Sequence, residues 1–317
     1  MLRLPARARV AEETGLLLQR LRKDAEERCN IGRINCPKRT QAEGVRTLHF
    51  SGVDGEAACI AIVMDALKIK VLRRICNGND KPCLHLTQGL GLAINMGDLG
   101  LSLVNGTVVR DPLLEDGVKV RVIAELIEMT RRTIEGQALD LGWARDERYD
   151  ITPEDYLVMA THKTAHYSGA VPLAVGAIVG GGSEAEIEGL RAYGLDTGLA
   201  FQIQDDLLNI EGDPAVVGKD FCSDITEGKR TLMVVHALQN SADRGRLVDI
   251  LSAKTTDADT LREAVAIMRA SGSIDYARAY AEDLTNIAKD RLVGLIGPSP
   301  ARSLLISMAD YFVNRLK

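Results

Sequence analysis

A helix that ends in a crowd of carboxylates is the feature of this chain that most restricts how it folds. Ser183-x-x-Glu186 reads as a capping box that starts the helix. Ile187, Leu190, Gly194, Leu195, Leu199, Ala200 and Ile203 then follow at spacings dense enough for a buried helix. Gly212 and Pro214 stop it. Asp205, Asp206, Glu211 and Asp213 therefore crowd the C-terminal end, where the helix dipole disfavours anions. Positive charge has to offset them.

Asp205 and Asn209 stand four apart and share a helix face, with Asp206 on its flank. Such a row of oxygens suits a hard cation, and Mg²⁺ takes few carboxylates, keeps waters and fills its shell with phosphate oxygens. Lys219 and Lys229, which follow, are point charges suited to the same phosphates. From pattern alone, a solvated acidic helix end with surface lysines explains these residues as well.

Composition narrows the class. The chain has 317 residues, 46% of them hydrophobic, enough for a large core in one domain. Aromatics are only 4%, too few for a platform that stacks bases, and the formal charge of −5 shows no basic excess for a polyanion. The N-terminal MLRLPARARVAEETG has no apolar core for a secretory signal, and no apolar run reads as a membrane span. The expected location is cytoplasmic. Six cysteines are too few for a disulfide scaffold, and the Cys29/Cys36 and Cys76/Cys83 spacings are too wide for zinc.

Along the chain, residues 8–29 and 56–75 read as helices, with an irregular glycine-rich stretch between them. A long helix is expected over residues 113–143. Thr152-Pro153-Glu154-Asp155 starts another. Pro172 removes the donor that would bond the Ser168 carbonyl, so a kink or break is expected there. His162 and His166 are four apart, but the glutamate of a His-Glu-x-x-His zinc helix is missing. Gly212 to Gly218-Lys219 is one residue too long for a P-loop, and Asp220 stands where Ser or Thr belongs. Three more helices are expected over residues 256–317, with breaks near Gly272 and at Gly297-Pro298. No run of strands is evident.

The stretch FQIQDDLLNIEGD, then GKD, then DITEGKRTL, resembles the second aspartate-rich region of the trans-isoprenyl diphosphate synthases, the polyprenyl synthetase family. Phe201, Gln202, Asp205, Asp206, Gly218, Lys219, Asp224, Gly228, Lys229 and Thr231 match that pattern, with Asn209 in place of its last Asp. Further matches are Pro82, His85, Gly89, Ala93, Gly97 and Asp98, the pair Gln137 and Asp140, and the pair Lys163-Thr164. The likeness is close over residues 81–317 and poor over residues 1–80. The family's first Asp-Asp-x-x-Asp is not found: around Asp65 and Arg73-Arg74, Met64 and Lys68 stand where carboxylates belong. Its early Gly-Lys-Arg shows only as Gly44-Val45-Arg46.

The resemblance implies a single all-α domain, a bundle of roughly ten helices around a cavity, assembled as a homodimer. It implies an Mg²⁺-dependent prenyltransferase that joins an allylic prenyl diphosphate to isopentenyl diphosphate. Asp205, Asp206 and Asn209 would hold metal. Lys163, Thr164, Gln202, Lys219 and Lys229 would hold the allylic diphosphate, and His85 and Arg46 the isopentenyl diphosphate. The missing first motif keeps two other readings open. One is a regulatory subunit in a heteromer with an active synthase. The other is a prenyl-diphosphate lyase or cyclase on the same scaffold.

Overall fold

The structure is a computed structural model that describes residues 89–212 and 222–314. The expected helices at residues 8–29 and 56–75 lie outside them, as do Arg46, Asp65, His85 and Lys219. Every regular element among the described residues is helical. In chain order these are α1 (Leu90–Arg110), α2 (Asp116–Arg145) and α3 (Pro153–Ala160), a π-helical segment (Thr161–Ala170), then α4 (Val171–Val179) and α5 (Glu184–Glu211). A single turn, α6 (Ser223–Thr226), precedes α7 (Leu232–Asn240), α8 (Arg244–Ala253), α9 (Ala258–Ala270), α10 (Ser273–Leu295) and α11 (Pro300–Asn314).

The start signals in the sequence do what their chemistry dictates. The Ser183 hydroxyl accepts from the Glu186 N–H, and the Glu186 carboxylate takes the Ser183 N–H in return, opening α5. Thr152 and Asp155 form the same reciprocal box at α3, with Pro153 setting its first turn. Gly212 ends α5 in an extended conformation.

α5 is the axis of the molecule. It packs against α10, the π-helical segment, α4 and α11. Ile203, Leu207 and Ile210 on its inner side are buried with Tyr156, Met159, Leu232 and Met233. Each such side chain contributes on the order of 2 kcal/mol through apolar burial. Backbone closeness matters as much as apolar area. A Cβ on Gly194 would stand 2.5 Å from the Gly169 carbonyl carbon, and one on Gly198 2.8 Å from the Ala165 Cα. Glycine alone lets α5 and the π-helical segment touch backbone to backbone.

Pro172 does not break the helix at Ser168. The helix widens instead: the Val171 N–H bonds five residues back to the His166 carbonyl, and α4 resumes with Pro172 in its first turn. A π-turn absorbs the missing donor by changing register before the proline arrives.

α1 departs from the sequence expectation. By length and composition it is apolar enough to cross a membrane, with a mean hydropathy of 1.3 over its best window. Its leucines, including Leu92, Leu99 and Leu103, are exposed among the described residues. Asp98 and the asparagines on either side of it hide this in a plain reading of apolar runs.

Candidate active site

One hollow gathers Asp140 from α2, Tyr156 and Met159 from α3, Lys163 from the π-helical segment, Gln202 and Asp206 from α5, and Lys229 to Thr231 ahead of α7. Four stretches of chain separated in sequence converge there. The acidic end of α5 is thus not out in solvent: Asp206 is 7% exposed and Asn209 8%.

The widened turn delivers two adjacent side chains to two different helices. Lys163 Nζ donates to Asp140 Oδ2 at 2.5 Å. Thr164 Oγ1 donates to Gln202 Oε1 at 2.6 Å. The Gln202 amide then has its nitrogen free to donate to Asp206 Oδ1 at 2.7 Å. The buried Tyr156 hydroxyl donates to the other oxygen, Oδ2, at 2.8 Å. Behind the turn, Gly136 on α2 is in close approach to the Lys163 backbone, where a Cβ would collide.

Burial, followed by the negative charge of Asp224, pushes the Asp206 carboxyl up to about 8. Burial also raises Asp224, against the pull of Lys229. Burial works against charge on Lys229, but Asp224 at 2.6 Å and Glu227 at 3.0 Å outweigh it and hold the ammonium above its usual range. Two buried acids, Asp206 and Asp140, share the hollow with Lys163 and Lys229, and Asp224 is tied to it through Lys229.

The other sequence-based candidates are placed as follows. Asp205 is half-buried and does not line the hollow. Asn209 ties α5 to α6: its Nδ2 donates to Ser223 Oγ at 2.9 Å, and its Oδ1 accepts from the Asp224 N–H at 3.2 Å. It thereby fixes where Asp224 points. Glu211 is turned away to Arg269 and Arg278, which supply part of the positive charge the acidic helix end requires. His162 and His166 face α2, where Arg132 lies 3.3 Å from His166 Nε2. No group of three or more His, Cys, Asp or Glu side chains that could hold a metal occurs among the described residues.

Sequence reasoning missed Tyr156, Met159 and Arg230. Tyr156 reads as one more core aromatic, and its only signal is that it precedes Lys163 by about two turns. Arg230 is 1% exposed, bonds the Arg148 and Gly228 carbonyls and lies over the Tyr149 ring. An arginine beside a lysine in a loop gives no hint of such burial.

Known proteins share both sequence and architecture with this chain. A short chain isoprenyl diphosphate synthase of Methanothermobacter thermautotrophicus is 40% identical over 237 residues, covering 74% of this chain and 70% of that protein. A geranylfarnesyl diphosphate synthase of Natronomonas pharaonis is 37% identical, covering 74% and 66% respectively. Among solved structures, a geranylgeranyl pyrophosphate synthetase of Pyrococcus horikoshii superposes with a TM-score of 0.71 at 30% identity, over 82% of this chain and 79% of that one. A geranylgeranyl pyrophosphate synthase of Corynebacterium glutamicum, complexed with isoprenyl diphosphate and magnesium, gives 0.67 at 27% identity, over 82% and 76%. The polyprenyl synthetase family profile matches residues 71–268, more than half of the sequence. With the helical bundle and these relatives, that match makes the chain a member of the polyprenyl synthetase family.

Proposed function

We propose that this protein is a prenyltransferase that lengthens an allylic prenyl diphosphate with isopentenyl diphosphate, within one all-α domain in the cytoplasm. The observation that carries this reading is the convergence of Lys163 and Lys229 with Asp206 and Asp140 on one hollow. Lysines there suit a diphosphate, and buried acids beside them suit a divalent cation. The names of the relatives support the same chemistry.

The donor set fits Mg²⁺. Burial disfavours the charged forms of Asp206 and Asp224, and a bound dication is what would favour both as carboxylates. Fewer than three carboxylates suffice, because Mg²⁺ draws the rest of its shell from phosphate and water. Asp206 and Asp224 would hold it, and Asp205, outside the lining of the hollow, is proposed for the same role from its place in the motif. Asn209 acts through its grip on the Asp224 backbone. When bound, Mg²⁺ supplies charge neutralisation at the departing diphosphate.

The chain's own residues do the remaining work. Lys163 and Lys229 hold the diphosphate oxygens, with Thr164 and Gln202 beside them, and Lys219 is proposed for the same role. As the C1–O bond of the allylic substrate breaks, both electrons leave with the diphosphate, and these cations stabilise the charge. The double bond of isopentenyl diphosphate attacks C1, and loss of a proton gives the longer allylic diphosphate. Met159 and Ala160 present an apolar wall that keeps water from the cation. His85 and Arg46 are proposed for the isopentenyl diphosphate.

A homodimer is proposed on the surface of α2. Val120, Ile127, Ile134 and Leu141 recur every seven residues, and all are exposed. That spacing keeps one seam facing a partner helix. A second reading, a subunit that needs an active partner synthase, is favoured by Met64 and Lys68 at the place of the family's first acidic motif.

The test is incubation of the pure protein with Mg²⁺ and geranyl or farnesyl diphosphate, with and without isopentenyl diphosphate. A longer diphosphate that requires isopentenyl diphosphate is the expected product. A hydrocarbon or alcohol formed without it would replace this reading with the lyase or cyclase. Turnover only after addition of a second synthase would replace it with the regulatory subunit.

A further inference from the structure

The Asp206 carboxylate is gripped on both oxygens from inside the protein. Tyr156 donates to Oδ2 at 2.8 Å and Gln202 to Oδ1 at 2.7 Å. A carboxylate has about four acceptor positions, so each oxygen keeps one for the hollow. Two donors on two oxygens also fix the plane of the group. The Gln202 donor is locked in turn, because Thr164 occupies its oxygen and leaves only the nitrogen to face Asp206.

Tyr156 is built for rigidity. It is 1% exposed, lies in the first turn and a half of α3 and packs in the main core. The capping box of Thr152 and Asp155, with Pro153, fixes that turn. Phenylalanine would fill the same apolar space. The phenolic oxygen is the one atom of the side chain that must find a polar partner in this core, and the partner it has is Asp206.

We propose that Tyr156 is a positioning residue that holds Asp206 in the orientation needed to bind a divalent cation with a diphosphate. This rests on the prenyltransferase reading. Groups that orient a metal ligand are worth about 10–100-fold in metal affinity, and the phenol, on a side chain 1% exposed, would act through its bond to Asp206.

The test uses the full chain with inorganic pyrophosphate at fixed concentration and Mn²⁺ as the titrant, reading thermal stabilisation. Tyr156→Phe is expected to raise the Mn²⁺ concentration for half-maximal stabilisation by about 10–100-fold. Without metal its Tm should stay within about 2 °C of wild type. Asp206→Asn should raise the Mn²⁺ requirement too, and adding Tyr156→Phe to it should produce no further shift, because the phenol acts only through that carboxylate. An unchanged Mn²⁺ requirement in Tyr156→Phe overturns the proposal, whether or not the metal-free Tm drops. So does a full second shift in the double variant. If the wild type shows no stabilisation by Mn²⁺ and pyrophosphate, the prenyltransferase reading fails first, a result distinct from a loss confined to the variants.

Discussion

Replacing Lys163 with methionine should separate what its charge does for the fold from what it does for the reaction. Asp140 is 4% exposed and accepts from Lys163 Nζ at 2.5 Å. Met keeps most of the volume of the lysine stem but leaves a buried carboxylate with no cation in contact. Removing one partner of a buried pair costs about 3–5 kcal/mol. The Lys163 side chain is 19% exposed, so water can relieve part of the loss, and we take the lower end, about 3 kcal/mol. With about 2.1 cal/mol/K of unfolding entropy per residue, that is a Tm drop of roughly 4–5 °C for a chain of this size. Asp140→Asn alone should cost only about 1 kcal/mol, since the freed ammonium can turn toward the hollow. The double variant then removes both charges and should also cost about 1 kcal/mol, which makes the coupling about 3 kcal/mol. Chemical unfolding of the four proteins measures this directly. Activity must not follow stability: the double variant regains the fold but lacks the cation for the leaving group. Its kcat/KM should stay about 10²–10³-fold below wild type. Additive stability losses, or a double variant that regains turnover, would refute the reasoning.

The close approach of α5 to the π-helical segment predicts opposite outcomes for two glycines. Gly194→Ala puts a methyl within 2.5 Å of the Gly169 backbone and should cost 3 kcal/mol or about that by urea unfolding. Gly176→Ala in α4 meets nothing within 4 Å and should gain about 0.5–1 kcal/mol. Burial, helped by Arg132, lowers His166 to about 4, so its neutral form is the folded one. Its stabilising contribution is complete above the unfolded value near 6.5 and is lost as pH falls toward 4. After allowance for solvent screening it is worth about 1–2 kcal/mol, and His166→Leu should flatten the stability profile in that window. Glu128, held near 2 chiefly by its bond to Arg131, loses its own contribution only as pH falls below about 4.5, so the His166 effect is read above that value. Ile134→Glu places a charge in the exposed seam of α2 and should turn dimers into monomers in analytical ultracentrifugation, with little change in far-UV circular dichroism. A wild type that is monomeric at every concentration would remove the basis for that seam.

Local chemistry was the legible part of the fold. The Ser183 capping box, the Thr152 cap with Pro153 and the Gly212 stop need only neighbours in sequence to act, so the start of α3 and both ends of α5 could be read directly. The convergence of Lys163, Gln202 and Asp206 on one hollow was legible through the motif they share with the family. What the pattern hides is partnership at long range. Asn209 looks like one more oxygen in an acidic row, and only the fold shows its carboxamide turned to Ser223 and Asp224, fourteen and fifteen residues on. The exposure of α1 is hidden for a similar reason, since an apolar helix reads the same whether core or surface receives it.

Pro172 is the clearest case of a correct physical premise met by a helix form that the sequence did not suggest. The missing donor is real, and a free-standing α-helix would bend there. In this bundle the backbone contacts of Gly169 with Gly194, and of Gly198 with Ala165, leave little room for a bend. The defect therefore moves upstream as a wider turn. Within the turn the Ser168 hydroxyl donates to the Thr164 carbonyl at 2.8 Å. The widened segment carries Lys163 to its bond with α2 and Thr164 to its bond with α5. The proline four residues past Ser168 thus bears on the hollow through helix register, while the close backbone contacts at Gly169, Gly194 and Gly198 hold the segment that carries Lys163 and Thr164 against α5.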